Sequence, residues 1–323
     1  MGSSESIDFS LSNLYASWYN FRRGKRSSKE ILAFQYSLEP NLFQMQRQLE
    51  DKSYRHGNYA YYTVQDSKRR EIAVAPARDR VIHRLLYDYL LPIWDKHFIY
   101  DAWSCRPDKG LHAAIARTQT YMGANPRAWV WRADIIKFFD SIDQDTLMQI
   151  IKRRVKCADA LWLIESIISS YEKNQPGRGM PIGNLTSQIF ANIYLNEFDR
   201  YITYKATPPP PPPLRYIRYG DDWLCIAKSE ADIQHIQQEA TQFLADSLQL
   251  TVHPKLNKVS PVYRGVTFLG VDVWPSGLRI TSQTQARIWH KINSKNHASY
   301  EALVRHFSNE KSIKKFYWQT LDV

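Results

Sequence analysis

Two adjacent carboxylates, Asp221 and Asp222, stand between two apolar runs in the segment LRYIRYGDDWLCIAK, residues 214–228. The aromatic and β-branched residues of both runs favour strands, and Gly220-Asp221 predicts a tight hairpin turn between them. Two ionised carboxylates a few ångströms apart repel each other unless a cation lies between them. The segment therefore predicts a divalent metal site, and an ordinary aspartate-rich turn is the alternative for the motif taken alone.

A third acid, Asp134, ends the strand-like segment AWVWRAD, residues 128–134. Magnesium takes oxygen ligands and commonly combines one or two carboxylates with substrate phosphates. If the two acidic segments lie on neighbouring strands, Asp134 completes a site suited to phosphoryl transfer.

The composition indicates a globular protein with a polyanionic partner. Of the 323 residues 44% are apolar, and 43 Lys and Arg against 32 Asp and Glu give a net charge of +11, which favours nucleic acid. The three cysteines lack the spacing of a zinc site or a disulfide framework, so we expect a reducing, cytoplasmic location. The N-terminus lacks a signal pattern and no uncharged run is long enough to span a bilayer, so we expect no membrane partner.

Periodicity predicts the elements that position the three acids. The first 60 residues have helical spacing, and residues 59–76 predict a basic hairpin of two strands around a polar turn. Asp143 predicts the start of one helix and Asn184 the start of another. Six prolines, Pro208 to Pro213, predict an exposed spacer loop, because polyproline cannot join a sheet centrally.

Several segments, in order along roughly residues 10 to 320, resemble the motifs of reverse transcriptases. YGDD (219–222) closely resembles their Tyr-x-Asp-Asp box, and RADIIKFFDSID (132–143) resembles the aspartate motif that precedes it. The other matching segments are KRREIAVAPARDRVIHRLL (68–86) and SCRPDKGLHAA (104–114) in the fingers, RGMPIGNLTSQIFANIYLNEFDRY (178–201) between the two acidic boxes, and TFLG (267–270) in the primer-grip hairpin.

The resemblance implies an α+β fold of the right-hand polymerase type, with fingers, an antiparallel palm sheet and a small helical thumb. We expect residues 1–125 to form the fingers and the first palm segment. Residues 126–283 are expected to form the palm, with a proline-rich spacer at 204–214, and residues 284–323 the helical thumb.

The resemblance also implies RNA-templated addition of deoxynucleotides to a primer 3′ end. Asp134 and Asp221 would hold two Mg²⁺ ions, for which Mn²⁺ could substitute, and Asp222 would support the site indirectly. Lys255 or Lys258 would protonate the leaving pyrophosphate, and the sequence does not choose between them.

Further roles follow from the same resemblance. Phe139, five residues after Asp134, is expected to be the steric gate that favours deoxynucleotides. Ile182 stands where most relatives have glutamine beside the nascent base pair, which favours error-prone copying; a loop isoleucine packed on the palm is the alternative. The residues expected at the incoming nucleotide are Lys68, Arg70, Phe139, Ile182, Gly183 and Gln188, and those expected at nucleic acid are Arg80, Arg106, Lys109, Tyr219 and Gly220.

Among bacterial reverse transcriptases, CRPDKGLHA and PIGNLTSQIFANIYLN look most like the enzymes of diversity-generating retroelements. Group II intron enzymes usually carry Pro-Gln-Gly where this chain has Pro-Ile-Gly at 181–183. The expected partners are a template or structured noncoding RNA, a primer, the cDNA strand, deoxynucleotides and a small basic accessory protein. An antiphage defence enzyme that copies a dedicated noncoding RNA is the alternative, favoured by the six prolines and by Trp223, and an inactive RNA-binding scaffold is a third hypothesis.

Overall fold

The computed structural model describes residues 6–25, 28–65, 69–172, 175–204, 215–294, 296–307 and 310–320. Lys68 and the six prolines therefore lie outside the described residues. The chain forms two compact units, each built from separate stretches of sequence. The first unit comprises residues 1–99, 136–199 and 244–250, and the second comprises residues 100–135, 200–243 and 251–323. The boundaries predicted from the sequence stay a prediction.

Helices and strands alternate irregularly along the chain. In the described residues the α-helices are α1 (Leu11–Arg22), α2 (Lys29–Tyr36), α3 (Leu38–Glu50), α4 (Ala77–Trp94), α5 (Leu111–Ala124), α6 (Phe138–Ser141), α7 (Gln144–Lys152), α8 (Ala158–Ile168), α9 (Leu185–Tyr204), α10 (Glu230–Leu248), α11 (Ser282–Lys291), α12 (His297–Phe307) and α13 (Glu310–Gln319). The strands are β1 (Ala60–Gln65), β2 (Arg69–Val74), β3 (Trp129–Ala133), β4 (Arg215–Tyr219), β5 (Asp222–Ala227), β6 (Lys258–Pro261), β7 (Val266–Phe268), β8 (Val271–Trp274) and β9 (Gly277–Ile280).

Helix α1 shows how the first unit forms its core. Ser10 accepts a hydrogen bond from the backbone N–H of Asn13 at 3.4 Å and so caps the helix. Leu14, Trp18 and Phe21, spaced four and three residues apart, are buried on one face. That face is apolar, and α1 packs against α4.

The hairpin predicted over residues 59–76 is confirmed. Strands β1 and β2 pair antiparallel from Ala60 opposite Val74 to Gln65 opposite Arg69. Both strands are exposed near the turn, and β2 becomes buried only towards Ala73. The basic end of the hairpin therefore faces solvent within its unit.

The helix start predicted at Asp143 is also confirmed. Its carboxylate accepts a hydrogen bond from the backbone N–H of Thr146 at 2.8 Å, which caps α7. The side chain of Gln144, the first residue of the helix, is buried and donates to the carbonyls of Tyr171 and Gly179, both at 3.0 Å. These bonds attach Tyr171 and Gly179 to α7.

The second unit contains two antiparallel sheets. The larger has the strand order β4-β5-β3-β6, and the smaller has the order β7-β8-β9. In the larger sheet Trp131 on β3 and Trp223 on β5 are fully buried and meet edge to face, with ring centres 5.6 Å apart. The packing of these two rings fixes the alignment of the two central strands, β3 and β5. No helix among the described residues combines the length and apolar character needed to cross a membrane.

Candidate active site

The three aspartates predicted from the sequence meet at one end of the larger sheet. Strands β3 and β5 pair antiparallel with Ala133 opposite Trp223, so the next step of the same register sets Asp134 opposite Asp222. Tyr219 pairs with Asp222 across β4 and β5, which leaves Gly220 and Asp221 as the two turn residues. Gly220 has a φ of +64°, the left-handed region that glycine adopts without strain.

The pKa of Asp221 is raised by its surroundings. Burial, together with a smaller effect from the negative charge of Asp134, raises this pKa to about 7. The two side chains are also hydrogen-bonded to each other. Since a carboxylate only accepts, one of the pair must be protonated to donate that bond. A divalent cation would balance the negative charge of the pair in place of the proton. The carboxylate oxygens are the hard ligands that Mg²⁺ requires.

Asp222 is neutralised in a different way. The guanidinium of Arg132 donates from Nε to Oδ1 at 3.1 Å and from Nη2 to Oδ2 at 2.7 Å. This is a two-pronged ion pair between largely buried side chains, which are 20% and 16% exposed. Both oxygens of Asp222 are therefore engaged by protein, which favours an indirect role for this acid.

Arg132 is the site residue that reasoning from the sequence missed. It lies on β3 two residues before Asp134, which directly follows that strand, and side chains two apart along an extended segment point to the same face. The two-residue spacing between Arg132 and Asp134 was the signal available in the sequence. It places the guanidinium on the same face as a predicted acidic site, where a carboxylate is within reach.

Backbone contacts hold Asp134 in place. Its carbonyl accepts a hydrogen bond from the N–H of His253 at 2.7 Å, and Oδ1 accepts from the N–H of Ile135 at 2.9 Å. Of the two expected general acids, Lys258 lies on β6 opposite Arg132, and Lys255 lies in the loop after His253. Both lysines are exposed, and the geometry does not choose between them.

The expected nucleotide residues lie in the first unit, and hydrogen bonds link several of them to each other. The carbonyl of Phe139 accepts from the N–H of Met180 at 2.8 Å, and the carbonyl of Ile182 accepts from the N–H of Ala73 on β2 at 2.9 Å. Phe139 and Ile182 are half-buried, whereas Phe138 is buried in the core. Only Phe139 of the two phenylalanines is thus accessible enough for the predicted gate.

Gly183 is close to β2. Its φ is +111°, and a Cβ at this position would lie 2.5 Å from Cγ2 of Ile72. The side chain of the next residue, Asn184, donates to the carbonyl of Ala73 at 2.7 Å and accepts from the N–H of Ala75 at 3.3 Å. The structure thus explains Gly183 by its contact with protein, independently of any approach to a nucleotide. Asn184 joins the loop to the hairpin strand.

Two other expected nucleotide residues are exposed. Arg70 lies on β2 opposite Val64, and Gln188 lies in the first turn of α9. Their roles at the incoming nucleotide stay predictions.

The residues expected at nucleic acid are distributed between the units. In the first unit, Arg80 forms an ion pair with Glu30, and its guanidinium lies 5.1 Å from the ring centre of Phe21. In the second unit, Arg106 donates to the carbonyl of Ala102 at 2.9 Å, and Lys109 lies over aromatic rings. All three side chains therefore have partners within the protein.

Tyr219 and Gly220, the other residues expected at nucleic acid, adjoin the acids directly. Tyr219 is half-buried at the end of β4, and burial raises the pKa of its hydroxyl. Among the described residues, no group of three or more His, Cys, Asp or Glu side chains has the geometry to hold a metal ion. A metal held by Asp134 and Asp221 would therefore take its remaining ligands from substrate phosphates or water.

Comparisons with known proteins find relatives over much of the chain. The family model described as "Reverse transcriptase (RNA-dependent DNA polymerase)" matches residues 57–273, which include all three aspartates. Protein YkfC of Escherichia coli is 27% identical over 245 residues, which cover 65% of this chain and 64% of YkfC. The group II intron-encoded protein LtrA of Lactococcus lactis is 21% identical over 276 residues, covering 66% of this chain and 46% of LtrA. The chain thus spans less than two thirds of the length of these two relatives.

A solved structure shares the fold. The chain resembles telomerase from Candida albicans, solved with a fragment of telomeric RNA, with a TM-score of 0.52 and 12% identity over 77% of this chain and 49% of that one. The predicted α+β fold of the right-hand polymerase type is confirmed. The retroelement lineage predicted from the sequence stays a prediction.

The raised pKa of Asp221 makes stability depend on pH. Between the ordinary pKa of 3.8 and the raised value of about 7, folded Asp221 keeps a proton that the unfolded chain has lost. Without divalent ions, the free energy of unfolding should therefore fall as the pH rises through this window. Urea denaturation in EDTA at several pH values measures this slope. Asp221→Asn should flatten the slope and the exposed Asp246→Asn should not; equal slopes in all three proteins would contradict the raised pKa.

The contact between Gly183 and Ile72 predicts a specific instability. Gly183→Ala should cost about 1–3 kcal/mol more than Gly177→Ala, because both positions have positive φ but only Gly183 is crowded. Adding Ile72→Ala should remove the excess, and a double-mutant cycle followed by urea denaturation would measure the coupling. If the two alanine variants are equally stable, the close approach is wrong.

Proposed function

Because the chain belongs to the reverse transcriptase (RNA-dependent DNA polymerase) family, we propose that it extends a primer 3′ end with deoxynucleotides on an RNA template. The observation that carries this proposal is the half-buried carboxyl pair, Asp134 and Asp221, which lies at the end of two neighbouring strands and in which the pKa of Asp221 is raised. A pair that needs a cation to ionise fully is suited to metal-dependent phosphoryl transfer.

Asp134 and Asp221 would hold two Mg²⁺ ions, with Mn²⁺ as a possible substitute. Such ions lower the pKa of the primer 3′-hydroxyl and neutralise the leaving pyrophosphate. Asp222 would act indirectly: its ion pair with Arg132 holds the start of β5 and removes a third free negative charge from the site. Lys255 or Lys258 would donate the proton that pyrophosphate takes up on leaving.

Further residues would bind the incoming nucleotide. Arg70, with Lys68, would bind the triphosphate, since guanidinium and ammonium groups are good phosphate donors. Phe139 would exclude a ribose 2′-hydroxyl, which makes DNA the product. Gly183 and Gln188 would lie at the nucleotide, and Ile182 would lack the polar contact that checks base-pair geometry, which favours errors.

The proposed biological setting is a diversity-generating retroelement, with a structured RNA as template and a small basic accessory protein as partner. The support is the resemblance of CRPDKGLHA and of Pro-Ile-Gly at 181–183. Arg80, Arg106, Lys109, Tyr219 and Gly220 are the proposed nucleic-acid contacts.

An antiphage defence enzyme that copies a dedicated noncoding RNA is the second candidate. The six-proline run favours it. Trp223, the other departure from the retroelement pattern, is also explained by its packing on Trp131. An inactive RNA-binding scaffold is the third candidate, and the presence of all three acids argues against it.

Loss of either member of the carboxyl pair should abolish synthesis. Asp134→Asn and Asp221→Asn remove a metal ligand while keeping the size of the side chain, so primer extension on RNA with Mg²⁺ should fall by about a thousandfold or more, with the fold retained by circular dichroism. The exposed Asp246→Asn should keep full activity. Substantial primer extension by either site variant, or no primer extension by the wild type, would contradict the proposed activity.

The biological setting can be identified from the nucleic acid that is bound to the purified protein. In the retroelement case, cDNA made by the purified protein and its bound RNA should contain mismatches concentrated opposite adenine, and Ile182→Gln should reduce them. Sequencing of that RNA and cDNA measures both. A single abundant noncoding RNA copied accurately would favour the defence role instead.

A further inference from the structure

The segment that carries Ile182, Gly183 and Asn184 is bonded to the basic hairpin within the first unit. The carbonyl of Ile182 accepts from the N–H of Ala73 at 2.9 Å. The side-chain amide of Asn184 donates to the carbonyl of Ala73 at 2.7 Å and accepts from the N–H of Ala75 at 3.3 Å. We call these three hydrogen bonds, which Ile182 and Asn184 make with Ala73 and Ala75, the β2 clamp.

The β2 clamp occupies the edge of β2 that faces away from β1. In an extended strand the N–H and the C=O of one residue point to the same edge, and those of its two neighbours point to the opposite edge. The clamp takes both groups of Ala73, so Ile72 and Val74 direct theirs to β1 in the antiparallel pair. The 182–184 segment thus continues the hydrogen bonding of the two-stranded sheet on its second edge.

The bonds of the β2 clamp lie in the protein interior. Ala73, Ala75 and Asn184 are each no more than 2% exposed. Because water has little access there, loss of the amide would leave a buried carbonyl and a buried N–H without partners. Asn184 directly precedes α9, where an asparagine commonly caps the first turn, yet both polar atoms of its side chain bond the hairpin strand. The amide of this residue therefore serves the hairpin.

The same segment is also bonded to the residue predicted as the steric gate. The N–H of Met180 donates to the carbonyl of Phe139 at 2.8 Å. Arg70, predicted to bind the triphosphate, lies on β2 three residues before Ala73, about 10 Å along the strand. Residues 180–184 therefore connect the backbone at the gate to the strand that carries the arginine.

We propose that Asn184 is a positioning residue for the incoming nucleotide, which acts by fixing residues 180–184 to β2. The inference rests on the proposed function, in which Arg70, Phe139 and Ile182 all contact one nucleotide. These three residues come from separate stretches of the chain, and binding one ligand requires that they keep a fixed arrangement. Asn184 is buried against β2, so its effect on the nucleotide is exerted through the β2 clamp.

Steady-state primer extension on RNA with Mg²⁺, at increasing deoxynucleotide concentration, separates positioning from stability. Asn184→Ala removes both side-chain bonds of the β2 clamp, so the KM for the nucleotide should rise about tenfold while kcat changes by less than about threefold, because binding is weakened in the ground state and the transition state alike. Asn184→Asp keeps an acceptor for Ala75 but has no donor for the carbonyl of Ala73, and it should raise the KM as well.

Asn41→Ala is the matched control. Nδ2 of Asn41, on α3 in the same unit, donates to the carbonyl of Phe34 on α2 at 3.1 Å. The control thus also removes a bond between a side-chain amide and a backbone carbonyl, and it should leave the KM unchanged. If Asn184→Ala fails to fold by circular dichroism, Asn184→Ser, which can keep one of the two bonds, replaces it in the comparison.

Hydrogen exchange tests the β2 clamp without catalysis. The N–H of Ala73 bonds to the carbonyl of Ile182, a bond that Asn184→Ala does not itself remove. If the amide of Asn184 fixes the segment to β2, the N–H of Ala73 should exchange about tenfold faster in the variant. The N–H of Ala75 should also exchange faster, because it loses its acceptor directly. Residue-resolved exchange measures both amides.

Three results would overturn the inference: an unchanged KM in folded Asn184→Ala, an equal rise of KM in Asn41→Ala, or faster exchange at Ala75 without faster exchange at Ala73. Failure of the proposed function looks different. A wild-type chain that extends no primer would contradict the polymerase and with it the nucleotide role, and the exchange of Ala73 would still decide whether Asn184 fixes the segment. Active extension with an unchanged KM in the variant would contradict the positioning role alone.

Discussion

The pairing register of β3 with β5 is the constraint on which the acidic site depends. A shift of one residue would turn Asp134 to the opposite face of the sheet and separate it from Asp221. Trp131 and Trp223 oppose such a shift, because their edge-to-face packing in the core is specific to one alignment. Apolar packing on one face of the strands thus determines which charges meet on the other.

Three acids in one place are tolerated because the protein compensates two of them differently. The charge of Asp222 is balanced permanently by Arg132, while Asp221 is neutralised by a proton below its raised pKa of about 7. A fixed guanidinium cannot leave, but a proton can be displaced by a metal ion. The arrangement therefore separates a structural carboxylate from a pair that is free to exchange its counter-charge.

The net charge of +11 says little about where a polyanion would bind, since many basic groups are used within the fold. Arg80 is paired with Glu30, and Arg132 with Asp222.

The sequence by itself determined the family, the hairpin at Gly220-Asp221, the cap at Asp143 and the prediction that three acids would meet, because each depends on local residue types or on motifs in a fixed order. It placed Gly183 at the incoming nucleotide and gave no sign of its contact with Ile72. The pairing of Arg132 with Asp222 and the raised pKa of Asp221 were decided only by the tertiary structure. The reason is physical: Arg132 and Asp222 are 90 residues apart in the chain, and their pairing, like a shifted pKa, depends on distances and burial that arise only when the strands come together.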